Sequence, residues 1–435
     1  MSPTRAGIAT AVIVLCAVAA PRPSVALDLE SALLKVTAAN PTLAAGVARA
    51  EAAKRRVGPA GAWESPTLEL GVVNVPTSGG LDSDPMTMEM LRLSQRVPAF
   101  GANRLAREAA RAEASGEAAA AEVSLLEIWG MTWETYGDAY VAGELARLAE
   151  AHDTEMAHMI LAARARYESG NGRLEDILRA QAEQANTLSD AASFRAEEAQ
   201  GHARLDALRG IEPGPVTEWL APPPAVVIPA TPDAWLAALG PAHPRLRAQR
   251  AQVDRYRLEA RAARRAIWPD LELSGTYGRR EPLLGRFSQP DMFSASVAWT
   301  LPIFAISRQR SEAAGLDAMA RASDAERTAA ELDLRARVLA AHAAAVAAQR
   351  AVALLADTVV TTQRRASDAS WISYRAGTTD LWRVFESTHA LYADEIALLR
   401  ARQDLSRAEA QLLSLTGRGD LLGISLAPPA ERSGR

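Results

Sequence analysis

The stretch YRAGTTDLW, residues 374–382, interrupts a long Ala- and Arg-rich helical pattern with one glycine, Gly377. About two hundred residues earlier, YESGNGRLE, residues 167–175, interrupts a similar pattern at Gly170. Glycine readily adopts the left-handed conformation that a tight helix reversal requires, so each phrase predicts a turn between two helices. The recurrence of the phrase suggests that the chain is one unit written twice.

Other landmarks recur at a nearly constant distance, which supports an internal duplication. The spacing is 203 to 207 residues for five pairs: Pro41 with Pro244, Pro66 with Pro269, Pro98 with Pro302, Gly170 with Gly377, and Gly210 with Gly417. The predicted organisation is a first repeat over 27–211, a Pro-rich connector over 212–233, a second repeat over 234–418 and a flexible C-terminal tail over 419–435.

The N-terminus has the features of a secretory signal peptide, predicted over residues 1–26. Arg5 precedes an apolar run that ends in small residues, which suits cleavage before Leu27. The only cysteine, Cys16, lies inside that run. An acylated cysteine follows a small residue, whereas Leu15 precedes this one. The mature protein is therefore predicted to carry no thiol, and lipidation at Cys16 is the alternative.

Charge and hydropathy restrict the classes of function. The formal net charge is −4 for the chain and −6 without residues 1–26, which carry two arginines and no acidic residue. That balance gives no reason to expect nucleic-acid binding. The most apolar later stretch, residues 338–360, contains polar and charged side chains in mid-span, at a high cost for exposure to lipid. No catalytic motif is present, so we predict neither an enzyme nor a cofactor.

Each repeat follows the same predicted plan: a helix, two short strands, a very long helix, the glycine turn and a shorter helix. The helices are predicted over 29–62, 103–166, 174–209, 234–267, 306–373 and 381–416, and the strands over 66–75, 87–97, 271–278 and 293–301. A helix of about 65 residues would be about 100 Å long, which no compact domain needs. We therefore predict a mainly α fold, in which each long helix packs beside two shorter ones in an extended coiled-coil layer.

The strands of the second repeat alternate between polar and apolar side chains. Their polar face, predicted to face a lumen, contains Glu272, Ser274, Thr276, Ser294, Ser296 and Thr300. Such alternation is typical of a strand between lipid and a watery lumen, although a half-buried strand of a soluble sheet alternates in the same way. In the first repeat the alternation shifts, since Met88 and Met90 are followed by Leu91 and Leu93.

Four strands per chain cannot close a barrel, and sheet edges are not tolerated in the hydrocarbon region of a bilayer. If these strands span a membrane, the chain must therefore oligomerise. A dimer would supply eight strands, whose interior side chains usually fill, whereas a trimer would supply twelve, wide enough for a pore. The pattern favours a trimeric 12-stranded β-barrel that continues into an α-helical tunnel.

This plan resembles that of the TolC-type outer-membrane efflux channels. The resemblance covers nearly the whole mature chain, from LDLESALLKVTAANPTL to LLSLTG, and rests on ANP at the first helix, SPTLEL and WPDLEL at the strands, SQRVPAFG and WTLPIFA at the strand-to-helix joints, and the two Tyr-x-x-Gly turns. It implies a homotrimer in the outer-membrane lipid of a Gram-negative bacterium, with its helical part in the periplasm. It also implies a periplasmic adaptor protein and an inner-membrane pump as partners.

The stretch DSDPMTMEMLRLSQRVPAFG resembles the heavy-metal (copper or cobalt-zinc-cadmium) efflux branch of that family. The function implied is a passive exit duct for heavy-metal cations expelled by the pump. A multidrug or type I secretion exit duct is the alternative within this class. A soluble periplasmic coiled-coil adaptor or scaffold is the alternative from another class.

The resemblance places adaptor contact and the gate at the hairpin tips. The tip residues are Tyr167, Gly170, Arg173, Tyr374, Gly377 and Thr379, and the predicted aperture residues are Asp176, Asp380, Arg383 and Glu386. Arg383 departs from the related channels, in which an acidic residue is common at this place. An arginine ring, or an Arg383–Asp176 pair between neighbouring hairpins, would change gating and selectivity. Ordinary turns followed by a solvated helix face are the alternative interpretation.

The segment HDTEMAHMI places His152, Met156 and Met159 on one helical face, with His158 nearby. Sulfur and imidazole ligands would suit Cu(I). Methionine at helical spacing is more often packing, however, and a duct gains nothing from tight retention of its cargo. We therefore predict no metal site, and we predict that the other histidines (202, 243, 342 and 389) form no cluster.

Overall fold

The computed structural model describes residues 26–77, 84–98, 101–170, 172–216, 218–281, 289–299 and 305–424. The predicted signal peptide up to residue 25, Thr300 and the tail beyond residue 424 lie outside these ranges. The elements are α1 (Leu29–Ala39), α2 (Pro41–Ala60), β1 (Thr67–Val73), β2 (Met88–Val97), α3 (Ala102–Glu168), α4 (Leu174–Leu208), α5 (Asp233–Ala237), α6 (Pro244–Arg265), β3 (Leu271–Arg279), β4 (Met292–Trp299), α7 (Ala305–Leu354), α8 (Thr361–Arg375) and α9 (Leu381–Thr416).

The first helix of each repeat, predicted as continuous, is divided in the structure. In the first repeat the break is at Asn40, whose side-chain oxygen accepts hydrogen bonds from the backbone N–H groups of Thr42 (2.9 Å) and Leu43 (3.1 Å). Pro41 follows at the first helical position, where its missing N–H costs nothing. In the second repeat the break separates α5 from α6 and contains Gly240 and Pro241. An N-cap followed by proline thus starts a new helix in place of prolonging the old one.

The long helices have the predicted length. α3 has 67 residues, so it spans about 100 Å. It packs against α4 along one part and against α2 and α6 along another, and α7 packs likewise against α6 and α9. Between α7 and α8 the helix continues through a six-residue π turn, Leu355–Val360. One long helix beside shorter ones is therefore the arrangement in both repeats.

The four strands form one antiparallel sheet in the order β1-β2-β3-β4, so β2 of the first repeat pairs with β3 of the second. The register pairs Leu68 with Leu93 and Leu273 with Val297, which places the large apolar side chains on one face. Met88 and Met90 lie on the opposite face. The alternation in β2 therefore looked shifted because this regular strand has apolar residues on both faces. The described residues leave this apolar face uncovered, with Leu70 74% exposed.

The main core lies where α1, the middle of α3, the C-terminal part of α9 and the connector meet. Trp133, Tyr136 and Trp235 are fully buried there. The Tyr136 hydroxyl lies 2.7 Å from the carbonyl oxygen of Leu27 and 2.6 Å from that of Ala221. These contacts hold the first described residues and the connector against the long helix.

One helix among the described residues, Ile306–Arg375, is long and apolar enough to cross a membrane by length and composition alone. Two of its polar side chains have partners in the connector. A ring nitrogen of His342 lies 2.7 Å from the carbonyl oxygen of Pro229, and Gln349 accepts a hydrogen bond from the backbone N–H of Ile228 (3.2 Å). Since it also packs against α6 and α9, we interpret this helix as part of the helical layer.

The close approach of α3 and α4 leads to a stability prediction. A Cβ atom added at Gly201 on α4 would lie 2.6 Å from the Cβ and 2.9 Å from the Cα of Ala139, so one helix would have to move. We expect Gly201→Ala to cost about 1–3 kcal/mol, measured by urea unfolding of the purified protein. The control is Gly315→Ala on α7, where no heavy atom lies within 4 Å. Equal effects of the two substitutions would contradict the packing argument.

Candidate functional site at the hairpin tips

The two Tyr-x-x-Gly phrases form turns of the same geometry. Gly170 has φ of 75° and Gly377 has φ of 73°, and each backbone N–H donates to the carbonyl oxygen of the tyrosine three residues earlier, at 3.0 Å. A Cβ at either glycine would meet no heavy atom within 4 Å among the described residues. The glycines are therefore required for the left-handed backbone and not for space.

A small apolar cluster joins the two hairpins near their tips. Its buried members come from α3, α4 and α9 and include Met156, Met159, Ile177 and Val384. The two methionines are fully buried packing residues of this cluster. Tyr374 packs against this cluster, and the guanidinium of Arg166 lies 5.1 Å from its ring centroid, in a cation–π contact between the hairpins.

A polar groove of about 360 Å³ lies between the tips. It brings together two of the predicted aperture residues, Asp176 and Asp380, with three arginines. The full charged lining is Arg166, Arg173, Glu175, Asp176, Arg179 and Asp380. The side chain of Asp380 also caps α9, since it accepts a hydrogen bond from the backbone N–H of Arg383 at 3.2 Å. Asp380 thus has a structural role that the sequence analysis did not assign.

The other two aperture residues, Arg383 and Glu386, are exposed on α9 and do not line the groove. Within the described part of one chain Arg383 forms no ion pair, and Asp176 does not contact it. The Arg383–Asp176 pair is therefore not made within one chain. Among the tip residues Tyr167, Arg173 and Gly377 are exposed, whereas Tyr374 and Thr379 are half-buried.

The contacts between the hairpins join residues about two hundred positions apart, so no local pattern in the sequence predicts them. Arg179 of α4 lies over the ring of Trp382 of α9, at 4.5 Å to the centroid, and pairs with Glu175. The prediction that His389 belongs to no cluster is wrong. Its ring nitrogen Nδ1 lies 2.6 Å from the carboxylate of Glu183, and His152 lies within 4.0 Å of the same carboxylate.

His152 is buried in this region, with 4% of its surface exposed. Its ring stacks on Tyr392 at a centroid distance of 4.1 Å and an interplanar angle of 4°. Burial lowers the pKa of His152, because desolvation penalises the charged form, and burial likewise raises the pKa of Tyr392. His158, in contrast, is exposed and stands outside this group.

At the other end of the molecule, the predicted lumen-facing residues that are described share the polar face of the sheet. They are Glu272, Ser274, Thr276, Ser294 and Ser296. The hydroxyls of Ser274 and Ser296 lie 2.7 Å apart, and Arg92 of β2 extends over the same face. The pairing therefore joins polar side chains from both repeats into one surface.

Long helical hairpins joined to a sheet that is apolar on one face and polar on the other are the architecture predicted above for a subunit of an outer-membrane channel. Its sequence matches the model of the family described as "Outer membrane efflux protein" over residues 33–210 and again over 239–418. The chain belongs to the outer membrane efflux protein family. The resemblance to TolC-type channels is thereby confirmed, and the family is one of channels and not of enzymes.

The similar proteins agree with this assignment. The outer membrane efflux protein BepC of Brucella suis biovar 1 (strain 1330) is 24% identical over 295 residues, which span 67% of this chain and 64% of BepC. The open-state MtrE outer-membrane channel of Neisseria gonorrhoeae has a TM-score of 0.76 at 19% identity, over 90% of this chain and 89% of that one. The outer-membrane protein VceC of Vibrio cholerae has 0.73 at 17%, over 89% and 96%.

Proposed function

We propose that this protein is the exit duct of a tripartite efflux system. Three copies form a 12-stranded barrel in the outer membrane and a helical tunnel in the periplasm. An inner-membrane pump expels the substrate, a periplasmic adaptor contacts the hairpin tips, and the duct conducts passively. The soluble adaptor or scaffold interpretation is dropped, because the chain belongs to a family of outer-membrane proteins.

This proposal rests on the unpaired edges and the exposed apolar face of the sheet in a single chain. Its outer strands, β1 and β4, each have one edge without a partner strand among the described residues. Its apolar face is uncovered as well, with Phe293 75% exposed. Lipid supplies a partner for the apolar face, but not for backbone N–H and C=O groups. A neighbouring copy that pairs β4 with β1 satisfies both edges, and three copies close the ring.

Cysteine cross-linking tests the assembly, and the predicted mature chain has no cysteine of its own. Glu69→Cys on β1 and Ser296→Cys on β4 place thiols on the polar face of the two outer strands. With a short bismaleimide, the double variant should give covalent trimers in outer-membrane fractions, whereas each single variant should stay monomeric. Monomers from the double variant, or mature protein released in aqueous periplasmic extract without detergent, would refute the proposed duct.

Heavy-metal cations are the proposed cargo, and drugs or secreted polypeptides are the alternatives. Similarity of fold does not select among them. The alignment with CusC has a TM-score of 0.75 at 16% identity, over 90% of this chain and 92% of that one, and this score lies between those of VceC and MtrE. The deciding experiment is a deletion strain challenged with copper, zinc, cadmium and common drugs. Sensitivity to metals alone would support the metal branch, and sensitivity to drugs alone would overturn it.

Arg383 provides a prediction about conduction. It is exposed at the tip without an ion-pair partner in the described chain, so three copies would place three unneutralised positive charges near the entrance. We expect Arg383→Glu to raise the cation-to-anion permeability ratio several-fold, measured as the reversal potential across a planar bilayer in a KCl gradient. The control is Arg321→Glu, which makes the same change of charge on α7, 54 residues before α8 ends at the tip. An unchanged reversal potential for Arg383→Glu would show that this residue does not lie near the entrance.

A further inference from the structure

Two imidazoles and one carboxylate meet at the seam between the hairpins. His152 lies on α3, Glu183 on α4 and His389 on α9, and one ligand atom from each lies within 4.8 Å of the others. The three residues are two to four helical turns from the tips. They lie outside the tip groove and outside the predicted aperture.

The buried member of this group has no partner for its inner nitrogen. His152 Nε2 is buried and forms no hydrogen bond within the described residues, although Glu183 Oε1 is only 4.0 Å away. An unsatisfied polar atom in the interior is costly, and native structures rarely leave one without a compensating partner. Stacking on Tyr392 fixes the plane of this ring. The arrangement thus provides a buried ring nitrogen, 4.0 Å from a carboxylate oxygen, that has no hydrogen-bond partner among the described residues.

We propose that His152, Glu183 and His389 bind one divalent transition-metal ion, with Zn²⁺ as the best fit. Two imidazole nitrogens and a carboxylate oxygen form a common donor set for Zn²⁺, with a water at the fourth position. Sulfur is absent from the set, because Met156 and Met159 pack in the apolar cluster, so Cu(I) is disfavoured.

The distances require a small adjustment. Ligands about 2.0–2.1 Å from a tetrahedral ion are separated by about 3.3 Å. His389 Nδ1 and Glu183 Oε1, now 2.6 Å apart, must separate, and the Glu183 carboxylate must move toward His152 Nε2, which is 4.0 Å away. The His389 side chain is about half exposed and can make this movement, whereas His152 is held by packing. The ion would replace the hydrogen bond between His389 and Glu183.

A bound ion would add a link between the two repeats at this seam. His152 and Glu183 belong to the first hairpin and His389 to the second, and α4 and α9 otherwise contact each other little. The site is therefore a clamp across the seam, built from one chain, and it does not depend on what the duct conducts. Metal binding also does not require the trimer, so failure of the assembly test would leave this inference standing.

The test uses purified full-length mature protein in detergent, with an affinity tag that contains no histidine. After treatment with a chelator, Zn²⁺ is titrated by calorimetry and by competition with a chromophoric chelator. We expect one Zn²⁺ per chain, and an affinity at least about tenfold lower in Glu183→Gln and His389→Ala. Because His389 is partly exposed, its removal should leave the fold intact, which circular dichroism checks. His158→Ala, an exposed histidine on the same helix as His152, is the matched control and should bind as the unchanged protein does.

Two further measurements test the coordination geometry of the ion and its effect on α9. Co²⁺ in place of Zn²⁺ should give the visible absorption of a tetrahedral N/O site, absent in His389→Ala. Zn²⁺ should also slow amide hydrogen exchange in the first turns of α9 in the unchanged protein and not in that variant. The proposal is overturned if Glu183→Gln and His389→Ala bind Zn²⁺ as tightly as His158→Ala does, or if the unchanged protein binds no more than they do.

Discussion

Leu93→Lys should remove the protein from the outer membrane. Leu93 lies near the middle of β2, an inner strand with partners on both sides, and its side chain is 53% exposed on the apolar face. In the proposed barrel this face meets lipid. A lysine at the midplane of a barrel wall costs about 2–4 kcal/mol, and the trimer carries three copies. We expect at least a tenfold loss of assembled trimer, measured on gels of unheated outer-membrane fractions.

The matched control is Ser94→Lys, one residue further along the same strand. Ser94 pairs with Thr67 and Ser274 on the polar face, so its lysine should enter the proposed lumen and be tolerated. Both variants place one lysine on the same strand, at neighbouring positions that face opposite sides of the sheet. If the two assemble equally, the apolar face does not meet lipid, and the proposed orientation of the sheet is wrong.

Glu409→Gln should stabilise the protein at alkaline pH. Glu409 lies on α9 with 4% of its surface exposed, and burial raises the pKa of its carboxyl from 4.5 to about 8. The Trp133 indole partly offsets this rise, although its Nε1 forms no hydrogen bond of ordinary geometry within the described residues. The carboxyl is therefore protonated in the folded protein at neutral pH, whereas in the unfolded chain it is ionised.

The direction of the pH dependence follows from this difference. Below about pH 4.5 both states are protonated and the group causes no loss of stability. As the pH rises from 4.5 to 8 the unfolded chain releases its proton first, so the free energy of unfolding falls. Above pH 8 the loss is complete and on the order of 3–5 kcal/mol. Glutamine has nearly the same shape and no proton to lose, so it should remove this slope.

Denaturant unfolding in detergent at pH 5 and pH 9 measures the effect. The Glu409→Gln variant should resemble the unchanged protein at pH 5 and be more stable at pH 9. Asp404→Asn serves as the control, because Asp404 is on the same helix with 68% of its side chain exposed. Parallel pH profiles for Glu409→Gln and the unchanged protein would show that Glu409 is ionised in the fold.

The elements of the fold that the sequence predicts correctly are those that depend on local patterns. The two glycine turns, the length of α3 and the alternation of β3 and β4 each depend on residues close together in the chain, and the structure has them at nearly the predicted bounds. The undivided first helix was the main error. There the capping of α2 by Asn40 and Pro41 outweighed the helical periodicity on both sides.

By itself the sequence determined that the chain is a duplicated helical hairpin with four strands, because period, proline and glycine act within a few residues. Only the tertiary structure decided which charges meet. It placed Asp176 and Asp380 in one groove, left Arg383 outside it, and brought His389 to Glu183 across 206 positions. The physical reason is that the azimuth at which one long helix packs on another depends on the summed packing of the whole interface. No short stretch of sequence records that angle.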